Sequence, residues 1–295
     1  MSARSERYAP KLMVLPSLVI LLIISVIPLI YVLGTSLTSA TISKPFDQFI
    51  WFEQYRKAFT DEVFGTSLVN TLVYAFAVTV ITTLLGFILA YAMWNEKKLG
   101  SVLRTMALLP LFTPPVAIAM IWKLIYDPNQ GMLNYYLLKL GITSAPVAFL
   151  GEKYLAFPAI MLADIWQWTP FCFLLCLAAL QSLPKDPYEA ANVDGASDWY
   201  IFRRLTLPMV APQVVVIFIF RLLIALKVFD LIYMLTFGGP GNTTQVASFY
   251  IYRVSFKQFQ TGYGAALSIL VLILICILVT LMTEGREALL RRIGQ

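Results

Sequence analysis

The chain has 295 residues, of which 59% are hydrophobic and 13% are charged, and its mean hydropathy is +0.77. This composition excludes an ordinary soluble domain, because a single soluble core cannot bury so large an apolar fraction. The net charge of +6 does not indicate nucleic-acid binding, since no basic face with exposed aromatic residues accompanies it.

Six apolar runs, each of about 20 residues, predict an all-α membrane protein with six membrane-spanning helices in a lipid bilayer. The first run is long for a signal peptide and lacks a clear small-residue cleavage site, which favours a retained span. The predicted spans are 12–33, 69–94, 103–126, 155–180, 211–233 and 265–282.

Basic residues predict how these spans are oriented, because Lys and Arg accumulate in cytoplasmic loops. They are more frequent on the side that carries both chain ends and segment 181–208 than on the opposite side. The ends, 1–11 and 283–295, are therefore predicted to be cytoplasmic and to flank a membrane domain at 12–282. The basic residues on that side are Arg4, Arg7, Lys11, Lys97, Lys98, Arg104, Lys185, Arg203, Arg204, Arg286, Arg291 and Arg292.

The polar segment 181–208 contains a short helix signal between the fourth and fifth spans. Asp186 is predicted to cap this helix, with Pro187 at its first position and Glu189 reaching back to free backbone N–H groups. Gly195 is expected to end the helix after roughly two turns. Because such a short helix is marginal alone, we expect docking to another protein to hold it.

Two further features of this segment support a docking role. A second helical start is predicted at Ser197 or Asp198. The small side chains of Ala190 and Ala191 allow another protein to approach one face of the first helix closely.

The spacing within the segment is specific. Glu189-Ala190-Ala191 is followed after three residues by Gly195, and after nine more by Leu205-Thr206-Leu207-Pro208. This pattern resembles the cytoplasmic EAA loop of permease subunits of bacterial ABC importers, with Leu205 where isoleucine is usual. The resemblance implies a cytoplasmic coupling helix that contacts an ATPase. The residues implied in this coupling are Glu189, Ala190, Ala191, Asp194, Gly195, Leu207 and Pro208.

A second stretch, 228–244, reads VFDLIYMLTFGGPGNTT and resembles the signature of sugar-importer permeases of the maltose type. The first span and Asn70-Thr71 are also similar to that family. The resemblance implies the type I ABC importer permease fold in a bacterial inner membrane. It implies as partners a second homologous permease, two ATP-binding subunits and an extracytoplasmic sugar-binding protein. ATP and Mg would bind the ATPase subunits, and no cofactor is expected on this chain.

Catalysis by this chain itself is not expected. The sequence has no GxxxxGK[ST] phosphate-binding loop and no histidine, the commonest general base near neutral pH. The three cysteines, Cys172, Cys176 and Cys276, lie in apolar runs without further metal ligands. They are predicted to be small buried apolar residues, and no metal site is expected.

Polar and aromatic residues within the fourth span are candidates for a substrate pathway, because polar groups inside a membrane normally face protein or water. Aromatic faces beside amide and carboxylate groups suit the apolar faces and hydroxyl rims of sugars. The alternative is that the tryptophans form an interfacial belt and that Asp164 pairs with a neighbouring helix. The candidates are Asp164, Trp166, Gln167, Trp168 and Phe171.

The fifth span adds the candidates Lys227, Asp230 and Tyr233. Lys227 and Asp230 are three residues apart, so they are predicted to share a helical face and neutralise each other. Contact with the solute and a structural ion pair both remain open for them. Arg221 is expected to snorkel or to brace the helix, and it is not assigned to the substrate.

Prolines predict where the spans are interrupted. Pro110, Pro114 and Pro115 in the third run and Pro170 in the fourth are each expected to favour a break or kink. Such breaks either line a cavity or reflect packing alone. The outer loop 127–157 is long enough to fold over a cavity mouth, where the resemblance implies that a solute-binding protein docks.

The sequence therefore predicts the permease subunit of a sugar ABC importer, moved between inward-facing and outward-facing states by an ATPase. The alternative is a carrier driven by an ion gradient, or a channel, that works without an ATPase. The EAA pattern, the six spans and the lack of an internal repeat argue against that alternative. The absence of histidine and of a phosphate-binding loop argues against a membrane enzyme.

Overall fold

The computed structural model describes residues 3–94 and 100–293. Within these ranges it is helical and contains no strand; one isolated antiparallel bridge pairs Thr38 with Phe49. The all-α prediction is confirmed. Lys97 and Lys98, which contributed to the predicted orientation, lie outside the described residues, as do 1–2 and 294–295 of the predicted cytoplasmic ends.

The described helices are interrupted by short loops. Two π-helical turns, Phe202–Thr206 and Arg253–Lys257, follow α9 and α12. In chain order the helices are α1 (Ala3–Ser36), α2 (Glu53–Thr60), α3 (Glu62–Trp94), α4 (Gly100–Phe112), α5 (Pro115–Ile125), α6 (Met132–Lys139), α7 (Ala156–Gln181), α8 (Asp186–Val193), α9 (Asp198–Ile201), α10 (Leu207–Ala225), α11 (Asp230–Leu235), α12 (Ala247–Tyr252) and α13 (Thr261–Ile293).

Five of the six predicted spans have a helix that is long and apolar enough to cross a membrane, with shifted ends. The helical segment that corresponds to the predicted fifth span begins before 211 and ends at Ala225, whereas the prediction extended to 233. The segments are Val14–Ser36, Glu62–Trp94, Ala156–Gln181, Asp198–Ala225 and Thr261–Gly285.

The predicted third span, 103–126, is not one helix. Pro114 has an extended ψ of 140° between α4 and α5, and Pro115 starts α5 at a position where its missing N–H is not needed. The expected break is therefore found there. At Pro110 and Pro170, where a break or kink was expected, the chain is not broken, since both residues lie inside helices that continue past them.

The chain divides into two compact units. The first comprises Met1–Glu62 and Tyr250–Ile273. Within it, the carboxylate of Asp61 accepts hydrogen bonds from the hydroxyls of Tyr250 and Tyr263, at 2.5 and 2.6 Å. These two hydrogen bonds connect the end of α2 to α12 and α13.

The second unit comprises Val63–Phe249 and Leu274–Gln295, and α3 packs closely against α7 in it. A Cβ atom on Gly86 would lie 2.6 Å from Cβ of Cys172 and 2.7 Å from the backbone nitrogen of Phe173. Cys172 and Cys176 are buried in the apolar core there, as predicted. Cys276 is exposed on α13, so its predicted burial is wrong. No cluster of metal ligands occurs among the described residues.

Asn70 and Thr71 of α3 hold the loop that follows α11. The side-chain amide of Asn70 donates to the carbonyl oxygens of Gln245 and Thr243, at 2.9 and 3.2 Å. The hydroxyl of Thr71 accepts from the backbone N–H of Ala247 at 2.8 Å. These bonds satisfy backbone groups that a loop would otherwise leave unpaired.

Gly86→Ala is expected to destabilise the protein, because the added methyl group meets the backbone of α7. Overpacking of this kind costs about 1–3 kcal/mol. Thermal unfolding of the detergent-solubilised protein, followed by size-exclusion chromatography, should show a midpoint several degrees lower. Gly65→Ala on the same helix is the control, since nothing lies within 4 Å of its added Cβ. Equal midpoints for both variants would contradict the close approach of α3 and α7.

Candidate functional site

A cavity of about 240 Å³ lies in the second unit where α5, α7, the end of α10 and the start of α11 meet. It brings together five of the eight predicted pathway residues, from two stretches of sequence far apart in the chain. The residues that line it are Pro115, Asp164, Gln167, Trp168, Ile224, Lys227, Val228, Phe229, Asp230 and Leu231.

Three predicted pathway residues do not line this cavity. Trp166 is 42% exposed and makes an edge-to-face contact with Trp122, with ring centroids 6.1 Å apart. Phe171 contacts the edge of Trp168 from the side of the apolar core. Tyr233 stacks on Phe229 at 5.5 Å. Trp166 is therefore outside the cavity, whereas Trp168 faces it.

The shared helical face on which a pairing of Lys227 with Asp230 depended is not found. Helix α10 ends at Ala225, the chain turns through 226–229, and Asp230 begins α11. The two residues therefore share no helical face, although both are exposed and both line the cavity. The sequence pattern failed here because it assumed one continuous helix through the turn.

The structure instead pairs Asp164 with Arg221. The Nη2 of Arg221 contacts Oδ2 of Asp164, and the two side chains are almost completely buried. The prediction that Arg221 snorkels is wrong, whereas the prediction that it braces its helix fits these contacts. For Asp164 both alternatives hold together, because the residue lines the cavity and also pairs with a neighbouring helix.

Arg221 makes two further side-chain contacts in the second unit. Its Nε donates to the hydroxyl of Thr82 on α3 at 3.3 Å. Its guanidinium carbon lies 5.4 Å from the centroid of the Trp168 ring, within the range of a cation–π interaction. Arg221 therefore joins α3, α7 and α10 behind the cavity wall.

The sequence reasoning left Arg221 out of the site and missed the apolar lining residues. The signal available for Arg221 was its position inside an apolar run, where a charged side chain requires a partner. Its partner could not be identified, because Asp164 is 57 residues away in the chain.

The polar helix expected between the fourth and fifth spans is found as α8, and Gly195 ends it as predicted. Gly195 has a φ of +72°, its N–H donates to Asn192, and the N–H of Ala196 donates to Ala191. This is the Schellman arrangement that favours glycine. Ser197 then caps α9, and its hydroxyl accepts from the N–H of Tyr200 at 3.4 Å.

The predicted cap at the start of α8 is wrong. Lys185 occupies the N-cap position, Asp186 is the first helical residue, and no side chain caps the helix, so Glu189 does not reach back as expected. Pro187 lies in the first turn but is the second helical residue, not the first as predicted. The shift by one residue removes Asp186 from the position where its carboxylate could accept the free N–H groups.

Helix α8 has no buried residue, so its surface is open to a partner. Tyr188 nevertheless anchors it, since its hydroxyl donates to Thr206 at 3.2 Å and its ring packs edge-on against Trp94. Leu207 and Pro208 are exposed at the start of α10. A surface cavity of about 560 Å³ is lined by Pro187, Ala190, Ala191, Asp194, Ala196, Ser197, Tyr200 and Leu205.

Comparison with known proteins finds relatives along most of the chain. The trehalose/maltose transport system permease protein MalF of Thermococcus litoralis is 36% identical over 264 residues, which are 90% of this chain and 88% of that protein. The trehalose transport system permease protein SugA of Mycobacterium tuberculosis is 34% identical over 271 residues, which are 92% of this chain and 86% of that protein.

A solved structure agrees with these relatives. The crystal structure of a bacterial alginate ABC transporter, in complex with an alginate pentasaccharide-bound periplasmic protein, contains a chain that superposes with a TM-score of 0.84. The sequences are 26% identical, and the match covers 99% of this chain and 97% of that one. The family model of binding-protein-dependent transport system inner membrane components matches residues 82–292. The chain belongs to this family.

Proposed function

We propose that this chain is the permease subunit of an ATP-driven ABC importer, through which a sugar or sugar derivative crosses the inner membrane after delivery by an extracytoplasmic binding protein. The observation that carries the proposal is the similarity over about nine tenths of the chain to permeases named for trehalose and maltose. The structural likeness to a chain of the alginate transporter supports it.

The cavity beside Trp168 is the proposed sugar pathway in this subunit. The indole ring offers an apolar face, and the side chains of Gln167, Asp164 and Asp230 offer hydrogen-bonding groups around it. A sugar presents the complementary surfaces, namely apolar C–H faces and a rim of hydroxyls. Ordered aromatic and polar groups of this kind fix the orientation of a small ligand.

Helix α8 is the proposed coupling helix. Its exposed surface and the small residues Ala190 and Ala191 give a partner ATPase access to the backbone. Closure of the ATPase dimer would displace α8, and Tyr188 would carry the displacement to Thr206 and so to α10. ATP and Mg²⁺ belong to the two ATPase subunits, and this chain contributes no catalysis.

The proposed membrane arrangement places both chain ends and α8 in the cytoplasm. Helices α4 and α5, although separated at Pro114, would together form one crossing, the third along the chain, which brings the total to six. The exposed apolar surfaces of α1 and α13 would face lipid or a second homologous permease. The loop 127–157 would face the binding protein on the opposite side of the membrane.

Trp168→Ala is expected to slow sugar uptake about twofold to tenfold, because one aromatic stacking contact is worth roughly 0.5–1.5 kcal/mol. The measurement is ATP-dependent uptake of radiolabelled trehalose and maltose into proteoliposomes that contain the complete transporter, with the loaded binding protein at saturation. Trp166→Ala is the matched control, since this neighbouring tryptophan does not line the cavity. Equal losses in the two variants would remove the cavity from the pathway.

Uptake by the wild type in an ion gradient without any ATPase would replace the importer proposal with a secondary carrier.

Ala190→Trp is expected to lower sugar-stimulated ATP hydrolysis more than tenfold and to reduce recovery of the ATPase during co-purification in mild detergent. The large side chain would block close approach of the ATPase to α8. The thermal stability of the variant should nevertheless match that of the wild type, because Ala190 is exposed. Ala190→Ser, which keeps the side chain small, is the control. Full coupling in the tryptophan variant would exclude this face of α8 as the docking surface.

A further inference from the structure

The wall of the cavity is organised by a residue that does not line it. Arg221 is completely buried, yet two of its three partners, Asp164 and Trp168, are cavity-lining side chains. The third partner, Thr82, belongs to α3 and accepts the Nε hydrogen bond. The guanidinium group therefore connects two lining side chains to a helix that does not reach the cavity.

The contact with Trp168 orients the proposed sugar platform. The guanidinium carbon lies 5.4 Å from the ring centroid, and the edge-to-face contact with Phe171 at 5.9 Å holds the ring from another side. A planar guanidinium can contact a ring face and a carboxylate in one fixed geometry, which the ammonium group of lysine does not reproduce.

The contact with Asp164 determines the charge at the cavity. The ionisable residues that line it are Asp164, Lys227 and Asp230, which together carry one net negative charge. Arg221 lies directly behind the wall and pairs with Asp164, so the four side chains have no net charge. Such a wall suits a neutral saccharide, because it offers hydrogen-bonding groups while its four charges cancel and leave no net positive charge to attract a carboxylate.

We propose that Arg221 is the positioning residue of the cavity: it fixes Asp164 and Trp168 and cancels the charge of Asp164, so that this subunit accepts neutral saccharides in preference to acidic ones. The preference for neutral saccharides rests on the proposed function. The charge at the cavity wall does not depend on that function, and it can be measured without a transport assay.

The charge is tested with a single cysteine at Val228, an apolar lining residue, after replacement of Cys172, Cys176 and Cys276 by alanine. In the complete transporter, the rate of labelling by a cationic methanethiosulfonate reagent is divided by the rate for an anionic one. Arg221→Gln is expected to raise this ratio about fivefold to tenfold, because one negative charge then lacks its partner. Asp164→Asn is expected to lower the ratio by a similar factor, and the double variant should return it to the wild-type value.

The opposite signs separate a charge effect from a general loosening, which would move both single variants in one direction. Arg221→Lys is a further control that should keep the wild-type labelling ratio but not the wild-type sugar uptake. Lysine preserves the positive charge but lacks the planar guanidinium group that contacts both Asp164 and Trp168. If Arg221→Gln does not fold, Asp164→Asn and the double variant still decide the outcome. An unchanged ratio in every folded single variant would overturn the assignment of Arg221.

The saccharide is tested by ATP-dependent uptake of maltose, trehalose and an alginate disaccharide into proteoliposomes with the native binding protein. Uptake of a neutral disaccharide is expected to be at least tenfold faster than uptake of the acidic one. Faster uptake of the alginate disaccharide would overturn the preference for neutral saccharides. If none of the three is taken up with ATP, the proposed function fails for these sugars, whereas the labelling ratio still decides the role of Arg221.

Discussion

The buried pair of Asp164 and Arg221 constrains the second unit more than any other interaction in it. Each charge alone would be costly in an apolar environment, so removal of either partner would leave a buried charge uncompensated. The pair requires α7 and α10 to meet at one level, and the bond to Thr82 requires α3 to lie beside them. Of these three helices, α7 and α10 contribute lining residues to the cavity, whereas α3 does not reach it.

Close packing of α3 against α7 allows α3 to lie beside the ion pair. Lipid supplies little hydrophobic drive between helices, so association depends on close contact of small residues and on polar bonds. Gly86 lets the backbone of α3 approach Cys172 and Phe173 of α7, one turn beyond Thr82. The contact of α3 with α7 at Gly86 is thus close, whereas the ion pair joins α7 to α10. Helix α7 therefore takes part in both interactions.

Local features of this protein were predictable from its sequence, and distant pairings were not. Apolar runs identified five long helices, and Gly195 and Ser197 identified the end of α8 and the start of α9, because these signals lie within a few residues of the structure they specify. The partner of Arg221 depends on a fold that brings residues 57 positions apart together. The turn at 226–229 ended α10 inside an apolar run, so the helical face predicted for Lys227 and Asp230 did not exist. Asp186 shows that even a local cap can be misplaced by one residue.

Helix α10 joins the proposed coupling surface to the cavity. It begins at Leu207, next to Thr206, which accepts the hydrogen bond from Tyr188 of α8, and it ends at Ala225 beside the cavity-lining turn. Arg221 lies one turn before that end. A displacement of α8 that is not absorbed in the π-helical turn at Phe202–Thr206 would therefore move the guanidinium group relative to Thr82 on α3. Since Arg221 contacts Asp164 and Trp168, the cavity wall could not stay unchanged, and one buried cation would link the proposed coupling helix to the proposed sugar pathway.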